Sequence, residues 1–175
     1  MNWNTFKTTW GYIASLLGKH TGLGRGGKNL QDIYNYLPIN ERISTSGQPT
    51  EKQFELVKAQ GFTTVINLAP ADAENSLADE TGTLAGLGMH YIHLPVNFAK
   101  PTNENFETFV QHMKDIEDQK VWVHCAANMR VSAFMFRYRT EVLGEPRDIV
   151  QVDLDSIWEP FGVWKKFMAQ HQGQN

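Results

Sequence analysis

The stretch Val121–Ser132 reads VWVHCAANMRVS and predicts the central unit of the structure. Its first three residues are bulky and apolar, which predicts a short strand buried on both faces. The segment Arg130–Ser132 opens a helix that continues through Ala133–Leu143 and ends at Gly144, with Pro146 just beyond it. A buried strand that passes through a short loop into a helix is the building unit of a parallel α/β sheet.

The rest of the chain from Asn29 onward alternates short β-branched or apolar runs with helical patterns. This alternation predicts an α/β domain of three layers, with a central, mostly parallel sheet of four or five strands and helices on both faces. Ligands of such sheets bind at the carboxyl ends of the strands. The further predicted strands are Arg42–Ser46, Thr64–Leu68 and Tyr91–Val96, and further helices begin at the capping box of Thr50 and Gln53, after Asp72–Glu80 and at Pro101.

The N-terminal region is a separate unit in this interpretation. An apolar residue recurs there every three or four positions, which predicts a helix with one apolar stripe. The stripe fits a helix that docks on its own domain, or a seam for a partner, including a second copy of the chain in a homodimer. A glycine-rich run follows, so the expected units are 1–28 for the helix and linker and 29–175 for the α/β domain. The stripe consists of Trp3, Phe6, Trp10, Ile13 and Leu17.

Composition narrows the classes of function. The chain has 175 residues, of which 16 are basic and 19 acidic, and a net charge of −3 does not favour a nucleic-acid partner. The apolar run Trp10–Leu17 is too short to span a membrane, and the start lacks the features of a secretory signal, so the expected location is the cytoplasm. Cys125 is the only cysteine and the six histidines show no metal spacing, so no disulfide, metal or cofactor is expected.

Cys125 lies at the carboxyl end of the predicted strand and just before a helix N-terminus. Free amide N–H groups and the helix dipole favour an anion at such a place, so a reactive thiolate is expected. The same amides can wrap a tetrahedral oxyanion, and Arg130 can clamp two of its oxygens. This layout suits the covalent transfer of phosphoryl or sulfur groups. The structural alternative is that Cys125 is only a small buried apolar residue.

These residues resemble a known signature. His124-Cys125 followed by Arg130 and Ser132 is similar to the signature of cysteine-dependent protein tyrosine and dual-specificity phosphatases. Over residues 30–170 the chain resembles the bacterial phosphatase-like group of beta-lactamase hydrolase-like proteins, which implies a dual-specificity-phosphatase-like fold. The resembling stretches are Ser46–Thr50, Thr64–Leu68, His93–Val96 and His124–Phe134.

The resemblance implies a role for each residue of the loop. Cys125 would attack the phosphorus of a phosphomonoester to form a phosphocysteine, which water then hydrolyses, and Arg130 would clamp the phosphate. His124 would hold the loop and tune the thiol, and Ser132 would hydrogen-bond the thiolate or assist its departure. The implied partner is a phosphorylated substrate or a phosphate-like oxyanion, and no metal takes part. The cradle would be formed by the main-chain amides of Ala126, Ala127, Asn128, Met129, Arg130 and Val131.

The sequence departs from the phosphatase pattern at two points. Four residues separate Cys125 from Arg130 instead of five, a spacing typical of rhodanese-like sulfurtransferases, so a persulfide on Cys125 is one alternative. No aspartate occurs within 97–105, where these phosphatases carry their general acid, and Glu104 is the nearest carboxyl group and a weak candidate. A missing acid would leave activity weak. Binding of phosphate or a phosphopeptide without catalysis is the second alternative. Other carboxyl groups occur on a second loop, at Asp72, Glu74, Asp79 and Glu80.

Overall fold

A five-stranded sheet forms the centre of the computed structural model, which describes residues 3–9, 13 and 27–169. Four strands run parallel, and the short first strand pairs with the second in the antiparallel direction. The prediction of a mostly parallel sheet of four or five strands is therefore confirmed. The strands are β1 (Leu37–Pro38), β2 (Ile43–Ser46), β3 (Thr64–Asn67), β4 (His90–His93) and β5 (Val121–His124), in the spatial order β1-β2-β5-β3-β4.

Helices cover both faces of the sheet, as predicted. Within residues 27–169 the α-helices are α1 (Glu51–Ala59), α2 (Glu80–Gly86), α3 (Asn103–Asp115), α4 (Met129–Arg137), α5 (Arg147–Ile157) and α6 (Val163–Ala169). Side chains of β5 alternate between two apolar cores. Trp122 packs in one core with Phe54 of α1 and Leu84 of α2. Val121 and Val123 pack in the other core, which α3 to α6 complete. The fold is thus a three-layer α/β structure.

The capping box that the sequence predicted before α1 is present in the structure. In the capping box before α1, the amide of Gln53 donates to Thr50 Oγ1 at 3.3 Å, and the amide of Thr50 donates to Gln53 Oε1 at 2.9 Å. The strand β1 was not predicted, because it has two residues and one of them is Pro38. The predicted helix after the signature ends as an α-helix at Arg137 and continues as a π-helix, Tyr138–Val142.

The helical residues 3–9 dock on the domain through a polar face. Thr5 and Thr8 are buried. The amide of Glu159 donates to Thr5 Oγ1 at 2.6 Å, and the Thr8 hydroxyl donates to the carbonyl of Ile157. These hydrogen bonds decide which face of the helix turns inward, so docking rests on two threonines and not on the apolar stripe.

The apolar stripe points the other way. Trp3, Phe6 and Ile13 are exposed, so the alternative in which the stripe docks on its own domain is wrong for these residues, and the alternative of a partner seam stays a prediction. Trp10 and Leu17 lie outside the described residues, as do residues 21–26 of the glycine-rich run. The domain boundary near residue 28 therefore stays a prediction. In the described part of the chain, no helix has the length and apolar character needed to cross a membrane.

Candidate active site

The predicted signature lies where β5 ends and α4 begins. Cys125 follows the last residue of β5, and its amide donates to the carbonyl of Ser46 on the parallel neighbour β2, at 3.4 Å. Three residues later Asn128 adopts a left-handed backbone conformation with φ of 63°, which asparagine tolerates better than most residues. This turn sends the chain directly into the first turn of α4, so the thiol lies at the carboxyl edge of the sheet and next to a helix N-terminus.

Hydrogen bonds from other segments hold two carbonyl groups of the loop after Cys125. The carbonyl of Ala126 accepts from Asn75 Nδ2 at 2.8 Å and from the amide of Gln48 at 3.3 Å. The carbonyl of Ala127 accepts from Asn35 Nδ2 at 3.0 Å. In a trans peptide the N–H group points opposite to the carbonyl group. The amide of Ala127, which follows the first of these carbonyls, is therefore directed away from Asn75, as an anion cradle requires.

The first turn of α4 keeps its amides open to a ligand. The side chain of Asn128 occupies the N-cap position but makes no capping bond. Its Nδ2 donates to the carbonyl of Asn35 at 2.8 Å and to Thr45 Oγ1 at 3.0 Å instead. The first amides of a helix have no intrahelical acceptor, and the helix dipole is positive there. The asparagine thus holds the loop without closing the helix N-terminus.

Gly47 allows this loop to pack closely on the strand β2. A Cβ atom at this position would lie 2.7 Å from the ring of Tyr34 and 3.0 Å from the carbonyl oxygen of Ala126. Such a distance to the ring is shorter than real Cβ contacts. The glycine in the stretch Ser46–Thr50 is therefore required by the close approach of the loop.

A cavity of about 430 Å³ lies over the loop. It brings together five of the residues predicted for the site, while the side chains of Asn128 and Val131 are buried and do not line it. Cys125 is fully buried and lies in the wall of the cavity. The described lining consists of Thr9, Ala73, Phe98, Cys125, Ala126, Ala127, Met129, Arg130 and Phe161.

Arg130 is held at the wall of this cavity. Its Nε donates to the carbonyl of Val96 at 2.9 Å, and the guanidinium carbon lies 5.2 Å from the ring centroid of Phe98. These two contacts fix the plane of the guanidinium group. A guanidinium presents further N–H groups in a planar fork, which suits two oxygens of a phosphate.

A buried pair of a histidine and a glutamate lies beneath the loop. His124 Nε2 is 3.1 Å from Glu80 Oε1, and both side chains are shielded from solvent. The carboxylate also accepts from Gln48 Nε2 at 2.6 Å and from Asn67 Nδ2 at 3.0 Å. Burial opposes its ionisation, but the charge of His124 and the hydrogen bonds from His124, Gln48 and Tyr91 outweigh it and lower the pKa of Glu80 to about 2. Glu80 is thus an ionised anchor and not a proton donor.

Ser132 and Glu104 are not brought to the thiol. The Ser132 hydroxyl donates to the carbonyl of Met129 and accepts from Trp158 Nε1, both at 3.1 Å, so its proton is directed away from Cys125. Glu104 is exposed in the first turn of α3 and does not line the cavity. The second loop contributes only Ala73 to the lining. Asp72 and Glu74 are exposed, and Asp79 caps α2.

Sequence reasoning missed the two asparagines that hold the loop carbonyls. Asn35 and Asn75 lie 92 and 51 residues from their carbonyl partners, a separation that no local spacing reveals. Asn35 also has a positive φ of 49°. An asparagine in a turn ahead of a strand was the only available signal, and it does not specify a partner.

The comparisons with known proteins agree with this geometry. The sequence matches the family described as DSP-PTPase phosphatase fused to NAD+ kinase over residues 31–157. A beta-lactamase hydrolase-like protein of Agrobacterium fabrum strain C58 is 30% identical over 129 residues, which cover 71% of this chain and 28% of that protein. The chain thus spans about a quarter of the length of the curated relatives it matches.

Two solved structures share the fold. A DUF442 protein from Shewanella putrefaciens CN-32 superposes with a TM-score of 0.73 at 29% identity, over 82% of this chain and 94% of that one. A variant of P. aeruginosa TpbA in complex with phosphotyrosine superposes with a TM-score of 0.59 at 13% identity, over 81% and 92% of the two chains, and shows the fold alone. Because the family match covers most of the chain, the chain belongs to the DSP-PTPase phosphatase family.

Proposed function

We propose that the chain hydrolyses a phosphomonoester, with Cys125 as the nucleophile and Arg130 as the phosphate clamp. The observation that carries the proposal is their position on one cavity, at the entrance to α4. A phosphate group placed there would meet main-chain N–H groups of the loop and the guanidinium of Arg130. Membership in a phosphatase family supports this assignment over the alternatives that spacing alone left open.

The proposed reaction has two displacements at phosphorus. The thiolate sulfur of Cys125 attacks, so an S–P bond forms while the P–O ester bond breaks, and the leaving group departs with the bonding electron pair. Water then attacks the phosphocysteine, and its O–P bond forms as the S–P bond breaks. Orthophosphate leaves, the water loses a proton to solvent, and the thiolate is regenerated. The loop amides and Arg130 stabilise the charge on the non-bridging oxygens in both steps.

The leaving group receives no proton from a carboxyl group of the cavity wall. The described lining contains no aspartate or glutamate. A general acid typically contributes about 10²–10⁴-fold in rate. We therefore expect the enzyme to hydrolyse esters of acidic alcohols, such as phenols, far faster than esters of alkyl alcohols.

The wall of the cavity favours an aromatic leaving group. Phe98 and Phe161 line it together with Met129, and Arg130 is the only charged side chain in the described lining. Such a surface suits a single phosphate on an apolar ring better than a molecule with several charged groups. An aryl phosphate, as in the phosphotyrosine bound by the TpbA variant, is the substrate class that we propose.

Hydrolysis of para-nitrophenyl phosphate by the wild type and Cys125→Ser tests the assignment. We expect a loss on the order of 10⁴-fold or more in the variant, because the hydroxyl of serine is a far weaker nucleophile here. Met129→Leu changes the same cavity without removing chemistry and is the matched control. Undiminished hydrolysis by Cys125→Ser would contradict the proposal. Thiocyanate formation from thiosulfate and cyanide, without phosphate release, would favour the persulfide alternative.

One observation favours a second candidate function. A cavity with an anion cradle and no carboxyl group in its described lining can bind phosphate without turning it over. Calorimetric titration with inorganic phosphate separates the two. If the wild type and Cys125→Ser both bind phosphate and the wild type hydrolyses no phosphate ester, the result would favour a binding module over an enzyme.

A further inference from the structure

The N-terminal helix, residues 3–9, turns its aromatic residues toward solvent. Trp3 is 68% exposed and Phe6 is 48% exposed, and their rings stack with 5.8 Å between centroids. Ile13 is 43% exposed. A helix on the surface of a globular domain normally turns its apolar residues toward the core. Here the opposite face is the docked one.

Hydrogen bonds fix this orientation. Thr5 and Thr8 are 1% and 3% exposed against the domain. Asn35 Nδ2 donates to Thr8 Oγ1 at 3.2 Å, and Tyr34 donates its phenolic hydroxyl to the carbonyl of Thr8. Asn4 Nδ2 also donates to the carbonyl of Asp155, at 2.8 Å. The exposed aromatic residues are therefore presented by the fold and cannot turn inward without breaking these bonds.

Charge is segregated along the chain in the same place. Residues 1–31 contain four of the 16 basic residues and none of the 19 acidic ones, so residues 32–175 contain 12 basic and 19 acidic residues. The overall charge of −3 hides this division. Lys7 Nζ lies 5.8 Å from the ring centroid of Trp3, next to the exposed aromatic pair. A basic, aromatic and acid-free segment with an exposed apolar face has the composition of a helix that lies on an anionic membrane surface.

We propose that the exposed face of Trp3, Phe6 and Ile13 docks on an anionic lipid bilayer. A second copy of the chain fits less well. Among the described residues this face exposes roughly 350 Å², judged from the 150–250 Å² that large side chains bury, against about 800 Å² per partner in a stable interface. A two-fold axis through this face would also bring Lys7 close to Lys7 of the second copy. An anionic bilayer instead complements the charge and accepts the aromatic rings at its interface.

Docking would place the candidate active site at the membrane surface. Thr9, in the same helix, lines the cavity together with Cys125. Phe161 lines the cavity as well and is 53% exposed, so an apolar ring is presented to solvent at the cavity too. Binding of this face to a bilayer does not depend on the proposed phosphatase activity.

Co-flotation of the full chain with vesicles tests the proposal. We expect binding to vesicles of phosphatidylglycerol and phosphatidylcholine, little binding to phosphatidylcholine alone, and weaker binding as salt rises from about 0.1 M to 1 M. Trp3→Gln combined with Phe6→Gln should weaken binding about tenfold or more, and so should Lys7→Glu. The matched controls are Ile149→Gln with Val152→Gln, which are exposed apolar residues of α5, and Lys52→Glu on α1.

Three results would overturn the proposal. The wild type could fail to float with anionic vesicles. The N-terminal variants could bind as well as their matched controls. Light scattering could show a dimer that Trp3→Gln with Phe6→Gln dissociates, which would assign the face to a second copy. Far-UV circular dichroism of each variant confirms that the domain is folded, because the substituted side chains lie outside both apolar cores.

Discussion

The two sides of the cavity differ in how they are built. On the Cys125 side, hydrogen bonds from Asn75, Asn35 and the amide of Gln48 hold the carbonyls of the loop, and the buried pair of His124 and Glu80 lies beneath it. On the facing side the wall consists of Ala73 and aromatic rings, with no carboxyl group in the described lining. In the proposed mechanism the nucleophile and the oxyanion cradle are therefore preorganised, whereas proton donation is not. Such a site should depend strongly on its cradle and on the acidity of the leaving group.

Changing the proposed phosphate clamp, Arg130, should reduce activity the most among the substitutions on the Cys125 side of the cavity. Arg130→Lys keeps a positive charge but loses the planar fork, so we expect kcat/KM for para-nitrophenyl phosphate to fall about 10²–10³-fold. Steady-state kinetics measures this. Lys100→Met, an exposed cation outside the described lining, is the control and should change little. An active Arg130→Lys would mean that the cradle amides alone bind the phosphate.

The pair of His124 and Glu80 under the loop should make the free energy of unfolding depend on pH. The pKa of Glu80 is about 2 in the folded protein and 4.5 ordinarily, so its ionised form stabilises the fold above about pH 4.5, and this contribution is lost as the pH falls toward 2. Glu80→Gln should lower the free energy of unfolding at neutral pH by up to about 3 kcal/mol, with the difference vanishing near pH 2. Urea unfolding from neutral pH down to about pH 3 measures it. The exposed Glu104→Gln variant should show the same dependence of stability on pH as the wild type. If Glu80→Gln also showed the wild-type dependence, Glu80 would not be the ionised anchor of the loop.

Adding a carboxyl group to the wall that lacks one should raise activity toward esters with poor leaving groups. Ala73 lies in the cavity wall, so Ala73→Asp would place a carboxyl group beside the leaving group. We expect hydrolysis of an alkyl phosphomonoester to rise by up to about 10²-fold, and that of para-nitrophenyl phosphate to change little. Ala73→Asn has nearly the same shape and no proton to give, so it should not show the gain. Equal rates for both variants would locate the missing acid elsewhere.

Loosening the loop should have the smallest effect. Asn75→Ala removes the 2.8 Å hydrogen bond to the Ala126 carbonyl and leaves it the longer bond from the Gln48 amide. We expect kcat to fall about tenfold and stability to fall by about 1–2 kcal/mol, because a buried carbonyl becomes poorly satisfied. Gln111→Ala, exposed on α3, is the control for a polar truncation. Wild-type kinetics in Asn75→Ala would show that the loop holds its shape without this bond.

The parts of the molecule that the sequence predicted are those with local causes. The short apolar run Val121–Val123 and the Thr50 capping box act over a few residues, and the structure contains both elements. The contacts that shape the site act over long separations, as Asn35, Asn75 and Glu80 do, and no spacing identifies them.

The N-terminal helix shows the same limit. Its apolar stripe was visible from the spacing of Trp3 and Phe6, but the spacing does not say which face docks. Thr5 and Thr8 decide that through backbone partners more than 140 residues away, since Thr8 bonds to Ile157 over a separation of 149 positions. The spacing within one segment shows which residues share a helix face, whereas what that face contacts depends on the whole fold.

In the proposed mechanism the phosphoryl group passes through Cys125. Rapid quenching of the wild type with para-nitrophenyl phosphate, followed by intact-protein and peptide mass spectrometry, detects this intermediate. We expect a mass increase of one phosphoryl group on the peptide that contains Cys125, during turnover only, and none in Cys125→Ser. Turnover by the wild type with no phosphoryl adduct on Cys125, together with a nitrophenolate burst that Cys125→Ser retains, would contradict it.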